Sequence, residues 1–154
     1  MNECIFCKIV QGEVPCYKVW EDDAYMAFLS IFPNTLGVTV VIPKQHISSY
    51  IFDAEDAIIA QLILASKKVA LKIDRAFEDV GRTGVIFEGF GVDHLHAKLF
   101  PMHKTGNMKE WRPLESIRKE YYTEYPGFLS SHDGQREKDE ILEKIARKIR
   151  MNEG

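Results

Sequence analysis

The 154-residue sequence has little of several features that would place it in a special class of protein. Its 20 lysines and arginines are outnumbered by 23 aspartates and glutamates, so the formal net charge is −3. The overall basic footprint of a nucleic-acid-binding protein is therefore missing. No apolar run approaches the roughly 20 residues of a membrane span. The first residues lack the positive and then apolar pattern of a signal peptide, so we expect a cytoplasmic protein that binds neither nucleic acid nor membrane.

Cysteine is also scarce, with only Cys4, Cys7 and Cys16. An odd count without a secretion signal argues against a framework of disulfides. Cys4 and Cys7 form a C-x-x-C pair, which suits a metal or redox chemistry, and inert thiols are the third interpretation. A redox pair is expected after a strand and at the start of a helix in a βαβ unit, whereas this pair precedes every predicted strand.

The apolar content of 45% and the charged content of 28% are those of an ordinary globular chain. Hydrophobic periodicity predicts strands over 17–21, 25–30, 38–42 and 83–87, and a last strand in 93–103. A short helix or turn is predicted over 3–10. The long helix is predicted to start at Asp53 as its N-cap and to end near Phe77. This order predicts an α+β fold in which helices cover an antiparallel sheet.

Residues 104–136 are polar, aromatic and rich in loops, and a C-terminal helix is predicted from about 137 to 151. We expect one domain, with a core unit over 1–103 and an extension over 104–154 packed on it. Residues 114–122 are predicted to be helical, and His132 to lie in a loop. Three aromatic residues of the extension either cover the site as a lid or pack the extension on the sheet: Trp111, Tyr121 and Tyr125.

The stretch 93–103 holds three of the five histidines. In a strand, side chains alternate between faces, so His94, His96 and Lys98 would share one face and the apolar residues between them the other. Histidine can act as nucleophile, general base or metal ligand near neutral pH. Beside a glycine loop, whose backbone N–H groups bind phosphate, this row suits an anion site. The alternative is a pair of partly solvated histidines on a sheet face.

Several motifs follow one another over about residues 4–103: Cys4-Ile5-Phe6-Cys7-Lys8-Ile9, Gly12-Glu13-Val14-Pro15, Glu21-Asp22-Asp23, Ala27-Phe28-Leu29, Pro33, Val41-Ile42-Pro43-Lys44 with His46, and His94-Leu95-His96. With these motifs in this order, the chain resembles the histidine-triad (HIT) family of nucleotide hydrolases and transferases. The resemblance implies a sheet of about five antiparallel strands with one long helix, and a homodimer. It also implies that the middle histidine, His96, attacks the α-phosphate of a nucleotide and forms a nucleotidyl-histidine intermediate, without a catalytic metal.

The resemblance implies further site residues. The nucleotide-binding positions would be Ile5, Phe6, Ile9, Phe28, Ser30, Ile31, Gly89 and Gly91, although a plain core position is an alternative for several of them. The implied zinc ligands are Cys4, Cys7, His46 and His94, a set that suits a closed structural site. His103 could contact a leaving group, but an ordinary loop position is the simpler interpretation.

Four positions depart from the family pattern. Lys98 replaces the third histidine of the triad, where it could still contact a phosphate as a point charge. Ser30 replaces an acidic residue that contacts ribose, Phe87 replaces an asparagine, and Gly91 replaces a polar phosphate contact. These departures leave two hypotheses: a nucleotide hydrolase or nucleotidyl transferase acting through His96, or a catalytically silent, zinc-stabilised nucleotide-binding protein. A redox dithiol is a third and weaker one.

Overall fold

The structure is a computed structural model that describes residues 4–106 and 135–151. The predicted α+β fold is confirmed: five strands form one antiparallel sheet in the order β1-β2-β3-β5-β4. The predicted helix over 114–122, the three extension aromatics and His132 lie outside the described residues. The elements are α1 (Ile5–Val10), β1 (Lys18–Glu21), β2 (Tyr25–Leu29), β3 (Thr39–Pro43), α2 (Asp56–Ala76), β4 (Thr83–Ile86), β5 (Ala97–Pro101) and α3 (Asp139–Met151).

The two faces of the sheet carry different layers. The long helix α2 and the C-terminal helix α3 share a core with one face, to which β2, β3 and β5 contribute Ala27, Val41 and Leu99. Residues at the alternate strand positions, Phe28 and Val40, pack with α1 on the other face. Every residue of β2 and β3 is therefore buried, which explains why these two strands are almost continuously apolar.

The long helix predicted after β3 is α2, and Leu62, Val69 and Ile73 on its apolar face are fully buried. The predicted start was wrong. Residues Ile51–Asp53 form a separate 3₁₀ turn, and Ala54 then takes an extended conformation that interrupts the helical path. The α-helix begins at Asp56 instead.

Helix α3 starts at Asp139, two residues later than predicted, and it ends at Met151. It packs against α2 and β1 and buries Ile145 and Ile149. The Arg150 guanidinium donates a hydrogen bond to the backbone carbonyl of Lys18. Part of the C-terminal extension thus belongs to the main core. No helix in the described part of the chain is long and apolar enough to cross a membrane.

The last predicted strand was too long, because β5 begins only at Ala97. The backbone N–H groups of the preceding residues donate to carbonyls outside the strands: that of His94 to the Val92 carbonyl, and that of Leu95 to the Ile47 carbonyl. The predicted alternation nevertheless continues through this segment. Leu95 and Ala97 are buried in the main core, so the histidines face the opposite side, towards α1.

Candidate active site

The loop between β4 and β5 holds the segment before the histidines in place. Gly89 has φ of +70°, and a Cβ atom there would lie 2.8 Å from the backbone oxygen of Ser49. Both facts require glycine at this position. Asp93 Oδ1 accepts hydrogen bonds from the Ser49 N–H at 2.9 Å and the Ser48 hydroxyl at 3.2 Å, which lower the pKa of Asp93. The loop after β3 and the loop before β5 are therefore joined next to His94.

His96 is buried, with 2% of its surface exposed. Its Nδ1–H donates a hydrogen bond of 2.6 Å to the backbone carbonyl of His94, which leaves Nε2 as the nitrogen with a free lone pair. Burial lowers the pKa of His96, the His94 carbonyl raises it in part, and the charge of Lys98 lowers it again. The ring is therefore neutral and oriented near neutral pH, as a nitrogen nucleophile must be.

The His96 ring lines a cavity of about 370 Å³ between α1 and the sheet. Its walls are mostly apolar, and such a cavity is of the size that holds a small ligand. Seven of the eight predicted binding residues line it together with His96 and Lys98: Ile5, Phe6, Ile9, Phe28, Ser30, Ile31 and Gly91. Gly89 does not line the cavity; it allows the loop backbone to lie close to the backbone of Ser49.

Other lining residues were not predicted as site residues: Val14, Pro15, Cys16, Leu29, Phe32, Val40, Phe90 and Val92. Half of them are adjacent in sequence to predicted binding residues, namely Leu29, Phe32, Phe90 and Val92. The apolar character of these residues alone did not distinguish them from core residues. Phe90 is the clearest signal that was missed. A large aromatic residue between two glycines is exposed by 59% at the cavity wall.

The ammonium group of Lys98, which lines the cavity, forms an ion pair with a carboxylate. The register pairs Lys98 with Val40 of β3 on one side and Ile86 of β4 on the other. Glu88 lies two residues beyond Ile86, in the segment that follows β4. Its Oε1 is 2.5 Å from Lys98 Nζ, and only 3% of the Glu88 side chain is exposed. Sequence reasoning missed Glu88 entirely.

The four predicted metal ligands come together. Their ligand atoms all lie within 4.8 Å of one another. Cys4 precedes α1 and Cys7 lies on it, while His46 follows β3 and His94 precedes β5. The Sγ–Nδ1 distances are 3.4 Å for Cys4 and His94, 3.4 Å for Cys7 and His46, and 3.6 Å for Cys7 and His94. Bond lengths of tetrahedral zinc imply about 3.5 Å between a thiolate and an imidazole ligand. The cluster therefore fits a metal ion.

The hydrogen bonding of His94 also suits metal binding. Its Nε2–H donates to the Pro43 carbonyl at 2.8 Å, so the Nδ1 lone pair faces the two thiols. Such a second hydrogen bond commonly fixes the tautomer of a metal-bound histidine. Burial lowers the pKa of His94 and raises the pKa of the Cys7 thiol. A cation would favour the thiolate that burial disfavours.

Phe6 connects the cluster with the cavity. Its ring makes edge contacts with His94 at 5.8 Å and with His96 at 5.6 Å between centroids, and with Phe28 at 5.4 Å. The same short helix thus contributes to both sites.

His103 is a loop residue outside the cavity. Its Nδ1 lies 3.0 Å from Asp79 Oδ1, and its Nε2 lies 2.8 Å from the Leu36 carbonyl oxygen. Both ring nitrogens are used to attach the end of β5 to neighbouring loops.

Comparison with known proteins agrees with this geometry. The family model of the HIT domain matches residues 11–105. The adenosine 5'-monophosphoramidase of Schizosaccharomyces pombe is 37% identical over 99 residues, which cover 64% of this chain and 73% of the yeast protein.

Solved structures show the same fold. A hypothetical histidine triad nucleotide-binding protein from Sulfolobus tokodaii superposes with a TM-score of 0.72 at 27% identity, covering 96% of this chain and 89% of the other. A zinc-bound histidine triad family protein from Mycobacterium smegmatis gives a TM-score of 0.69 at 22% identity, covering 96% and 91%. Together with the family model, these matches show that the chain belongs to the HIT domain family.

Proposed function

We propose that this protein is a nucleotide hydrolase or nucleotidyl transferase whose nucleophile is His96. The observation that carries the proposal is a buried imidazole with its Nδ1–H held by the His94 carbonyl, in the wall of an apolar cavity. The yeast relative named above is an adenosine 5'-monophosphoramidase, which supports a nucleotide substrate.

In the proposed reaction the nucleoside enters between α1 and β2, with Phe6 and Phe28 against the base. Nε2 of His96 attacks the α-phosphorus, and the N–P bond forms as the bond between phosphorus and the leaving group breaks. The leaving group departs with its electron pair and takes up a proton from solvent. The Nδ1–H···O=C bond to His94 stabilises the positive charge that develops on the ring. Water then attacks phosphorus and releases a proton to solvent, the N–P bond breaks, and the imidazole recovers its lone pair. In a transferase a second acceptor attacks in place of water. Lys98 would donate a hydrogen bond to an oxygen of the α-phosphate while its charge stays paired with Glu88.

The test is mass spectrometry of the protein mixed briefly with adenosine phosphoramidate, dinucleoside polyphosphates and nucleotide sugars, together with assays of turnover. We expect a nucleotidyl adduct on a peptide that contains His96, absent from His96→Ala. His103→Gln is the matched control, because that histidine lies outside the cavity. Nucleotide binding without adduct or turnover would instead favour the silent binding protein.

We also propose that the four-residue cluster of Cys4, Cys7, His46 and His94 holds one structural zinc ion. The donor set and the thiol–imidazole distances support it, and a zinc-bound protein of the same fold exists. In this role zinc would fix α1 to the segment before β5, and the chemical steps would use the imidazole of His96.

A homodimer is the assembly that we propose. Among the described strands β4 has a neighbour on one side only. Val85 of this strand and Ile63 of the adjacent helix α2 are each exposed by 49%. The opposite sheet edge, β1, is contacted by α3. An antiparallel edge can pair with itself around a twofold axis. Light scattering after size-exclusion chromatography should give twice the chain mass, and Val85→Glu should give the monomer.

We retain the division into 1–103 and 104–154 as a proposal. The burial of α3 in the main core supports the expectation that the extension packs on the same domain.

A further inference from the structure

The pairing of Glu88 with Lys98 bears on which nucleotides the cavity can accept. Among the described residues that line it, Lys98 alone carries a formal charge. Its Nζ is 2.5 Å from Glu88 Oε1, and the two side chains are exposed by 21% and 3%. The pair adds no net charge to this wall.

The burial of the Glu88 carboxylate favours a lasting ion pair with Lys98. Within the described part of the chain, neither oxygen of the Glu88 carboxylate has a hydrogen bond of good geometry, and both are shielded from solvent. A buried carboxylate is costly without an opposite charge, so the ammonium next to it is the main compensation available. Lys98 would lose this stabilisation by moving to a bound phosphate.

We propose that Glu88 is a specificity-determining residue: it neutralises Lys98, so that the cavity favours nucleotide substrates whose leaving group is uncharged over those with further phosphates. The inference deepens the proposed function and rests on its assignment of the cavity to a nucleotide. An amine or alcohol on the α-phosphate adds no negative charge next to Lys98. Each further phosphate adds at least one, with no uncompensated cation among the described lining residues to receive it.

The test compares the dissociation constants of AMP and α,β-methylene-ADP, two probes that differ by one phosphonate group. In the wild-type protein we expect α,β-methylene-ADP to bind no more tightly than AMP. In Glu88→Gln the negative charge next to Lys98 is removed, and the preference for α,β-methylene-ADP should rise at least about ten-fold, which lies between the attraction of two unit charges about 4 Å apart in bulk water and their larger attraction near a protein surface. The double variant Glu88→Gln/Lys98→Met removes both charges and should return the ratio to the wild-type value.

The matched control is Glu140→Gln, which makes the same change in net charge on the exposed face of α3. It should leave the ratio unchanged. An equal ratio in wild type and Glu88→Gln would overturn the proposal, as would tighter binding of the second phosphate by the wild-type protein.

If Glu88→Gln does not fold, the salt dependence of nucleotide binding by the wild-type protein tests the same proposal. The wild-type affinity for α,β-methylene-ADP should change little between low and high NaCl concentration, whereas an uncompensated cation would make it fall steeply. Binding with the expected ratios but without turnover would leave the role of Glu88 standing and reject the catalytic proposal. Absence of AMP binding would overturn both.

Discussion

The proposed zinc site makes a quantitative prediction about stability. Its ligands come from three segments, and the contacts join residues 39 and 90 positions apart in sequence. An unfolded chain does not hold such residues together, so zinc should bind the folded state almost exclusively. Above the dissociation constant, each ten-fold rise in free zinc then adds about 1.4 kcal/mol to the free energy of unfolding. For a chain of this length that corresponds to about 3 to 6 °C in Tm per decade.

The assay is thermal unfolding in buffers that fix free zinc over several decades, combined with elemental analysis of the purified protein. Cys7→Ser should abolish the slope of Tm against the logarithm of free zinc. Cys16→Ser is the control, because this third thiol lies outside the cluster and should leave the slope intact. A wild-type Tm that does not depend on free zinc, or equal loss of the slope in both variants, would refute the reasoning.

Three further predictions concern the fold. Gly89→Ala should lower the free energy of unfolding in urea by about 1 to 3 kcal/mol more than Gly12→Ala, because both positions have positive φ but only the first would bring Cβ against backbone. Leu62→Ala should cost about 2 to 5 kcal/mol in the same assay, whereas the exposed Leu64→Ala should cost less than about 0.5 kcal/mol. The hydrogen bond from His103 lowers the pKa of Asp79. The contribution of the Asp79 carboxylate to stability is therefore complete above the ordinary aspartate pKa and is lost as the pH falls through the lowered pKa. Asp79→Asn should therefore remove part of the acid dependence of Tm, and an unchanged Tm-against-pH profile below pH ~5 would contradict this.

The sequence was sufficient to predict which side chains of residues 93–103 face the core, because the alternation of side chains along an extended chain depends only on local geometry. It placed Leu95 on the core side and His96 on the opposite side, although β5 itself begins later than predicted. The start of α2 was not predictable in this way. Asp53 has the chemistry of a helix cap, and only the extended backbone of Ala54 shows that it caps nothing.

The metal cluster required more than spacing. Val41 pairs with Ala97 across antiparallel strands, so the residues after β3 lie beside those before β5, and His46 meets His94 there. Without the strand order, only the resemblance linked them. Glu88 had no such support, because its contact with Lys98 follows from the β4–β5 register, which the residue types do not specify.

Helix α1 has only six residues, too few for a helix to be stable by itself in water. Cys7 on this helix belongs to the metal cluster, while Ile5 and Ile9 line the cavity. A metal ion and a nucleotide would therefore order the same turn of backbone. Thermodynamic reciprocity then requires that whatever factor zinc adds to nucleotide affinity, nucleotide adds to zinc affinity. The protein would retain its metal most tightly when substrate is abundant.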